Sequence, residues 1–241
     1  LTHWAPAPRP MCLSTSRQGS WRPPIEPLAI DVPPPLSDGE EAMLFDYRRD
    51  PSDVRYNVTR LYTLRPDGGT AIDVDGLVAA IRDVASVHEP LHRTPTAARR
   101  VLAPADAVRG VDVGVVDADA MDALAERVKR MPFDLDAGPL VRVHHGCDAA
   151  GTVFVLLALH HISVDAETFD VLWSQIAERA AGGALPAPPV TYAQHAAWRR
   201  ARLDDVYAGD RDFWLGAAER RPNAPALRFA TPVVAEPDGY I

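Results

Sequence analysis

The sequence predicts an α/β fold, a sandwich in which helices flank a central sheet. Three observations carry that reading. Between residues 36 and 182, segments with strand patterning alternate with segments whose apolar residues recur at helical spacing. The segment Thr152 to His160, TVFVLLALH, is apolar throughout, and a strand with no polar face is covered on both sides. Directly after it, Phe169, Leu172, Trp173 and Ile176 fall at i, i+3, i+4 and i+7, the stripe of a helix packed back onto the sheet.

The elements follow in order. Ser37-Asp38-Gly39-Glu40 reads as a capping box opening a short helix through Phe45 and Tyr47. From Val54, Tyr56 and Val58 alternate with polar residues before Leu61, Tyr62 and Leu64, which favours a strand. Between Asp73 and Val87, residues Val74, Leu77, Val78, Ile81, Val84 and Ala85 share one helical face. Val111 to Val116 is expected as a strand. Ala120 to Met131 is expected as a helix buried through Met121, Leu124, Ala125 and Val128 and stopped by Pro132. Leu140 to His145 is a further strand, and Gly146 to Gly151 turns it back into the apolar one. The tract AGGALPAPP, Ala181 to Pro189, separates two helical stretches.

A chain of 241 residues makes one large domain or two small ones. Residues 1–35 hold nine of the 23 prolines, too dense for a helix or a paired strand, and read as a Pro-rich linker or extended arm. Residues 36–182 form the folded lobe. Residues 183–241 form a helical connection whose last stretch, with four prolines after Arg221, contains no complete element. Lys and Arg number 25 against 33 Asp and Glu, a net charge of -8, which speaks against nucleic acid and against an anionic membrane surface as partners. Cys12 and Cys147 are too few for a disulfide scaffold or a thiolate metal cage, so a reducing, cytoplasmic setting is expected. The apolar run Val153 to Leu159 is too short to span a bilayer. No basic segment followed by an apolar stretch marks the amino end as a secretion signal, and the start at Leu1 reads as a processed or excised end.

The residues that carry chemistry stand where the apolar strand hands over to a helix: His160-His161-Ile162-Ser163-Val164-Asp165-Ala166. Open α/β sheets place their sites at such strand ends. Successive side chains of a strand point to opposite faces, so one imidazole serves structure and the other meets substrate, unless both are satisfied polar residues of the rim. Asp165, with Thr168 three residues on, reads as a helix N-cap. Its carboxylate has acceptor sites left over for an arginine from elsewhere, so cap and ion pair are both open. A metal site is disfavoured, because neighbouring strand histidines diverge and no i, i+4 histidine pair is present. Imidazole suits general base work near neutral pH, and the absence of a G-x-S-x-G elbow disfavours Ser163 as a nucleophile. His144 and His145 read as a strand-end pair facing solvent, with polar groups contributed near the site as the alternative. Trp173, Trp198 and Trp214 read as core, His195 as helix packing, and Arg199, Arg200 and Arg202 as a solvated helix face.

These residues reach a family. LHHISVDA, Leu159 to Ala166, resembles the HHxxxDG signature of nonribosomal peptide synthetase condensation domains and their relatives in the chloramphenicol acetyltransferase-like superfamily. Other segments match in order. Pro35 to Phe45 is similar to the family's opening helix, Tyr56-Asn57-Val58 to the strand after it, and VHEPLHRT, Val87 to Thr94, to its RHExLRT segment. Met131 to Leu140, MPFDLDAGPL, resembles PFDLxxGPLLR; Tyr192 to Trp198, YAQHAAW, resembles YxDYAxW; Arg211 to Trp214 resembles a later YW element.

The resemblance spans Pro35 to Pro225 and implies a chloramphenicol acetyltransferase-like lobe with a mixed central sheet. It implies amide formation between a carrier-bound acyl or peptidyl thioester and a carrier-bound aminoacyl acceptor, with substrates delivered on phosphopantetheine and no tightly bound cofactor. His161 then corresponds to the catalytic histidine, His160 to the supporting one and Asp165 to the structural ion-pair residue. Partners would be carrier domains and the other modules of a larger synthetase, and the Arg199 to Arg202 run is an alternative docking face for an acidic carrier.

Departures accompany the matches. The signature's last glycine is Ala166, Val87 stands for an arginine, and the next arginine is displaced past His92 to Arg93. Glu40 and Ala42 replace the usual Gln and Arg. Family members carry a second lobe that closes a tunnel over the site, so the resemblance reads this chain as an amino-terminal lobe, a part of a larger protein, inactive by itself. Two alternatives share the fold: a degenerate recruitment or scaffolding domain, and a free-standing acyltransferase.

Overall fold

A computed structural model describes residues 35–66, 70–96 and 100–219. Ser37 opens α1 (Asp38–Arg49) with the anticipated reciprocal cap, its hydroxyl accepting the Glu40 N–H while the Glu40 carboxylate accepts the Ser37 N–H. Strand β1 (Asn57–Leu64) leads to α2 (Val74–Val87), which Asp73 caps and which buries Leu77, Val78, Ile81 and Val84. Two single-turn helices, α3 (Glu89–His92) and α4 (Pro104–Ala107), precede β2 (Val108–Val115). Helix α5 (Ala118–Lys129) returns the chain to β3 (Val141–Cys147) and β4 (Val153–His160). Helices α6 (Ala166–Ala180) and α7 (Tyr192–Glu219) follow, separated by the Pro- and Gly-rich tract as expected.

The four strands form one sheet in the order β1-β4-β3-β2. Strand β4 is antiparallel to β1 and β3, whereas β2 runs parallel to β3, so the sheet is mixed. All eight residues of β4 are buried. Side-chain alternation along it divides the interior into two cores. Val153, Val155, Leu157 and Leu159 pack with α2 and α6. Phe154, Leu156 and Ala158 pack with Leu44 of α1, with Met121 and Val128 of α5, and with Phe133, Leu135 and Leu140 of the segment that joins α5 to β3.

Several expectations need correction. Gly146 and Cys147 belong to β3 and not to the turn, because Gly146 marks a close backbone approach: a Cβ there would stand 2.7 Å from the Gly114 carbonyl oxygen of β2. The longer strand draws His144 and His145 into the sheet, so His144 is buried and His145 half-buried instead of facing solvent. Trp173 does pack, stacked on Tyr62 with ring centroids 3.7 Å apart, and Trp198 is half-buried. Trp214 is 65% exposed, along with Phe213 and Leu215; helical spacing aligns a face, but only a neighbouring element buries it, and among the described residues none covers this turn. The arginine run is more than a solvated face. Arg200 binds Glu41 at 2.7 Å and Arg199 lies 3.4 Å from Asp38, which ties α7 to α1. The Pro-rich arm read in residues 1–35 lies outside the described residues apart from Pro35, as does the tail beyond Glu219.

Candidate active site

Strand β4 ends in a tight turn at its two histidines. The His161 N–H donates to the Tyr56 carbonyl at 2.8 Å, and the Ser163 N–H donates to the His160 carbonyl at 3.0 Å. Alternation persists through the turn and separates the two rings. His160 continues the face of Leu156 and Ala158 and is 4% exposed. Tyr56 flanks its ring at a centroid distance of 5.9 Å, and the Phe133 ring stands 6.2 Å away, edge to face at 81°. The Nδ1 of His160 accepts the Ile162 N–H at 3.1 Å, so Nδ1 is the bare nitrogen and Nε2 carries the hydrogen of the neutral ring. Burial first, and then the neighbouring His161, push its pKa down to about 4. His160 is uncharged at neutral pH and out of reach of solvent.

His161 is exposed instead, on the wall of a cavity of 570 Å³. The opposite walls come from distant parts of the chain: Gly39, Glu40 and Met43 of α1, His88, Pro90 and Leu91 at α3, and Tyr192 of α7. The surface is mostly apolar with a few convergent polar groups, the usual character of a small-molecule site. One of those groups is His88, whose Nε2 lies 2.6 Å from Gln175 Oε1, so Nε2 is the donor. Another is Tyr192, whose hydroxyl is 2.8 Å from Ser37 Oγ and whose pKa burial pushes up, leaving a neutral phenol. The start of α7 is fixed by Glu89, whose Oε2 accepts the Ala193 N–H at 3.1 Å. Sequence patterning does not single out His88, Glu89 or Tyr192 individually. The available signal was that VHEPLHRT and YAQHAAW both match the same family, which carries no information about their meeting at one cavity.

Asp165 is the N-cap of α6. Its carboxylate accepts the Thr168 N–H at 2.8 Å, and its own N–H donates to the Thr168 hydroxyl at 3.3 Å. The bond from the Thr168 hydroxyl, with the backbone bond after it, holds the carboxyl below the usual carboxylate range. The arginine pair does not form among the described residues. Arg93 instead keeps its Nε 3.0 Å from Glu89 Oε1, a local i, i+4 charge contact. Ala166 is exposed at the first position of α6 and is not part of the cavity wall, so its methyl group leaves the opening beside His161 unchanged. Ser163 lines the cavity. His144 and His145 do not, and His195 packs between the rings of Tyr192 and Trp198. Among the described residues no group of three or more His, Cys, Asp or Glu is placed to hold a metal ion.

A family model for condensation domains matches residues 107–232. The chain belongs to the condensation domain family. It is 28% identical over 246 residues to CymA of Salinispora arenicola (strain CNS-205), a probable non-canonical nonribosomal peptide synthetase, covering 92% of this chain and 3% of that protein. It is 30% identical over 210 residues to a linear gramicidin synthase polypeptide of Brevibacillus parabrevis, covering 79% of this chain and 4% of the relative. Among solved structures, the X-domain seen in complex with OxyB from teicoplanin biosynthesis superposes with a TM-score of 0.64 at 23% identity, covering 88% of this chain and 49% of that one. The condensation domain chain thus spans a few per cent of its synthetase relatives and about half of the solved structure, and the likeness to that structure concerns the fold.

The electrostatics of this turn have measurable consequences. The folded pKa of His160, about 4, lies below its ordinary value of 6.5, so the unfolded chain takes up the proton first. The stabilisation from the neutral ring is complete above pH 6.5 and falls by about 1.4 kcal/mol per pH unit toward pH 4. Burial lowers the pKa of His144 as well, so denaturant titrations of His160→Asn across that range should show a pH dependence shallower than the wild type's by this amount; an equal slope in both would contradict a neutral, sealed His160. For Asp165, the cap geometry predicts that Asp165→Asn keeps nearly all stability while Asp165→Ala loses about 1 kcal/mol in the same assay. A loss as large in the asparagine variant would restore a role for a charged partner.

Proposed function

We propose that this chain is the amino-terminal lobe of a condensation domain acting in nonribosomal peptide synthesis, and that His161 serves the reacting amine. The single observation that carries this reading is the division of labour between adjacent histidines. One is sealed and neutral in the core, and the other stands free on the wall of a cavity built from four separate segments. In the reaction, the nitrogen of a carrier-bound aminoacyl acceptor attacks the thioester carbon of a carrier-bound donor. The N–C bond forms, the C–S bond breaks, and the phosphopantetheine thiol leaves with the proton that the amine gives up. His161 orients the amine and takes that proton. His160 holds the turn, and Asp165 anchors its far end as the cap of α6. Holding two tethered substrates together supplies much of the acceleration, since positioning alone is worth several kcal/mol, on the order of 7 or more at best.

On this reading residues 36–182 are the lobe and residues 183–241 lead toward a second lobe that closes the cavity from the other side. The partners are carrier domains and neighbouring modules, the phosphopantetheine belongs to the carriers, and the setting is cytoplasmic. No helix among the described residues is long and apolar enough to cross a membrane. A second reading, a recruitment domain of the same fold, is favoured by one observation: among the described residues Asp165 has no arginine partner, because Arg93 is engaged by Glu89. That the related X-domain fold is seen in complex with another protein, OxyB, is consistent with it.

The test uses the complete natural protein with loaded carriers and mass-spectrometric detection of product. His161→Ala should lower amide formation by at least about 100-fold, the usual contribution of a positioned acid or base, with unchanged thermal unfolding. Undiminished condensation would remove His161 from the chemistry. A wild-type protein that forms no amide but retains a partner protein would favour recruitment.

A further inference from the structure

We propose that Arg142 and Asn57 are positioning residues for the histidine turn, clamping the segment after α5 beneath His160 with Phe133 as the point of contact. The inference rests on the proposed role of His161 only for its importance to catalysis; the clamp itself is read from geometry. Helix α5 ends at Lys129, and its last carbonyls have no partners within the helix. The chain then crosses the ends of three strands. From β1, the Asn57 side-chain amide donates to the carbonyls of Lys129 at 2.9 Å and Met131 at 3.0 Å. From β3, Arg142 donates through Nη1 to the same Met131 carbonyl at 2.7 Å and through Nη2 to the Pro132 carbonyl. In the sheet register Asn57 stands opposite His160 and Arg142 opposite Ala158, so the two jaws lie on either side of the end of β4.

The same guanidinium covers the Phe133 ring with its Cζ 3.8 Å from the centroid, and the Phe133 and His160 rings meet edge to face. With Tyr56 also against it, the His160 ring is held in the orientation in which Nδ1 accepts the Ile162 N–H. That bond closes the turn on which the next residue, His161, is carried. Two features oppose these residues being present merely as good sheet formers. Asn57 is buried and leaves its Oδ1 without a partner. Arg142 is half-buried directly beside Arg109 of β2, and burial together with that like charge disfavours its ionised form. Arginine suits the position because one planar group serves two carbonyls and a ring face at once, which an ammonium cannot do.

The test is histidine-selective ¹⁵N NMR on the 241-residue chain, which reads the tautomer and titration of each imidazole without any substrate. The charged groups acting on His160 are His161 and Asp53, and both are untouched by the variants. Arg142→Ala should raise the His160 titration midpoint by about one pH unit or more and mix its tautomers, while His88, held by Gln175, keeps its own. Arg142→Lys should fall between. Phe133→Leu, which keeps apolar volume but removes the ring, should shift His160 in the same direction and decides the matter if Arg142→Ala does not fold. A His160 signature unchanged in the folded variant would overturn the clamp. A wild-type complete protein that forms no amide, together with a shifted His160 signature in these variants, would instead count against the function and leave the clamp standing.

Discussion

Burial of β4 on both faces is the constraint from which the site follows. A strand enclosed by helices on one side and by helix and loop on the other has no solvated face to relax onto, so its register cannot slip without moving every apolar side chain into the wrong core. That fixed register reaches its last residues. Of two consecutive histidines, one must enter the core shared with α1 and α5, and the other must emerge on the opposite side. The chemical difference between them, one ring neutral and sealed and the other free at a cavity, is a consequence of a two-residue period and not of any difference in the side chains themselves.

The cavity depends on a different class of interaction. Its walls are held by side chains satisfying backbone groups at helix ends, Ser37 at α1, Glu89 at α7 and Asp165 at α6, while the Asn57 and Arg142 pair at the end of α5 serves the histidine turn. Helix termini leave orphan donors and acceptors that must find partners. At α5 and α7 those partners come from elements distant in sequence, so that capping the helices and assembling the site are one operation. The exposed ion pairs that join α7 to α1 add little by comparison, given their access to water.

Much of this was legible in the residues. The apolar run Val153 to His160 announced a central strand, and Ser37 with Glu40 and Asp165 with Thr168 announced their caps, because these signals are local. What was not legible is long-range. The extension of β3 through Gly146 and Cys147 depends on how closely Gly114 of the neighbouring strand passes, and a glycine before a polar turn reads as part of that turn. The burial of His144 follows from the same extension. The exposure of Trp214 reflects a missing neighbour among the described residues, which periodicity does not report. The choice of Arg93 for Glu89 over Asp165 is a competition between a local partner and a distant one, decided by three-dimensional placement. The family resemblance supplied the site residues, but only the fold reveals that His88 and Tyr192 are further polar groups of the same cavity.

The most direct measurement is a crystal structure of the complete natural protein with a pantetheine-linked, unreactive amide analogue of the donor. The proposed role of His161 predicts the analogue's acyl carbon in the cavity bounded by His88 and Tyr192, with its reacting end within hydrogen-bond reach, about 3 Å, of the His161 ring. An analogue seated elsewhere, with the His161 imidazole turned away from it, would contradict that role.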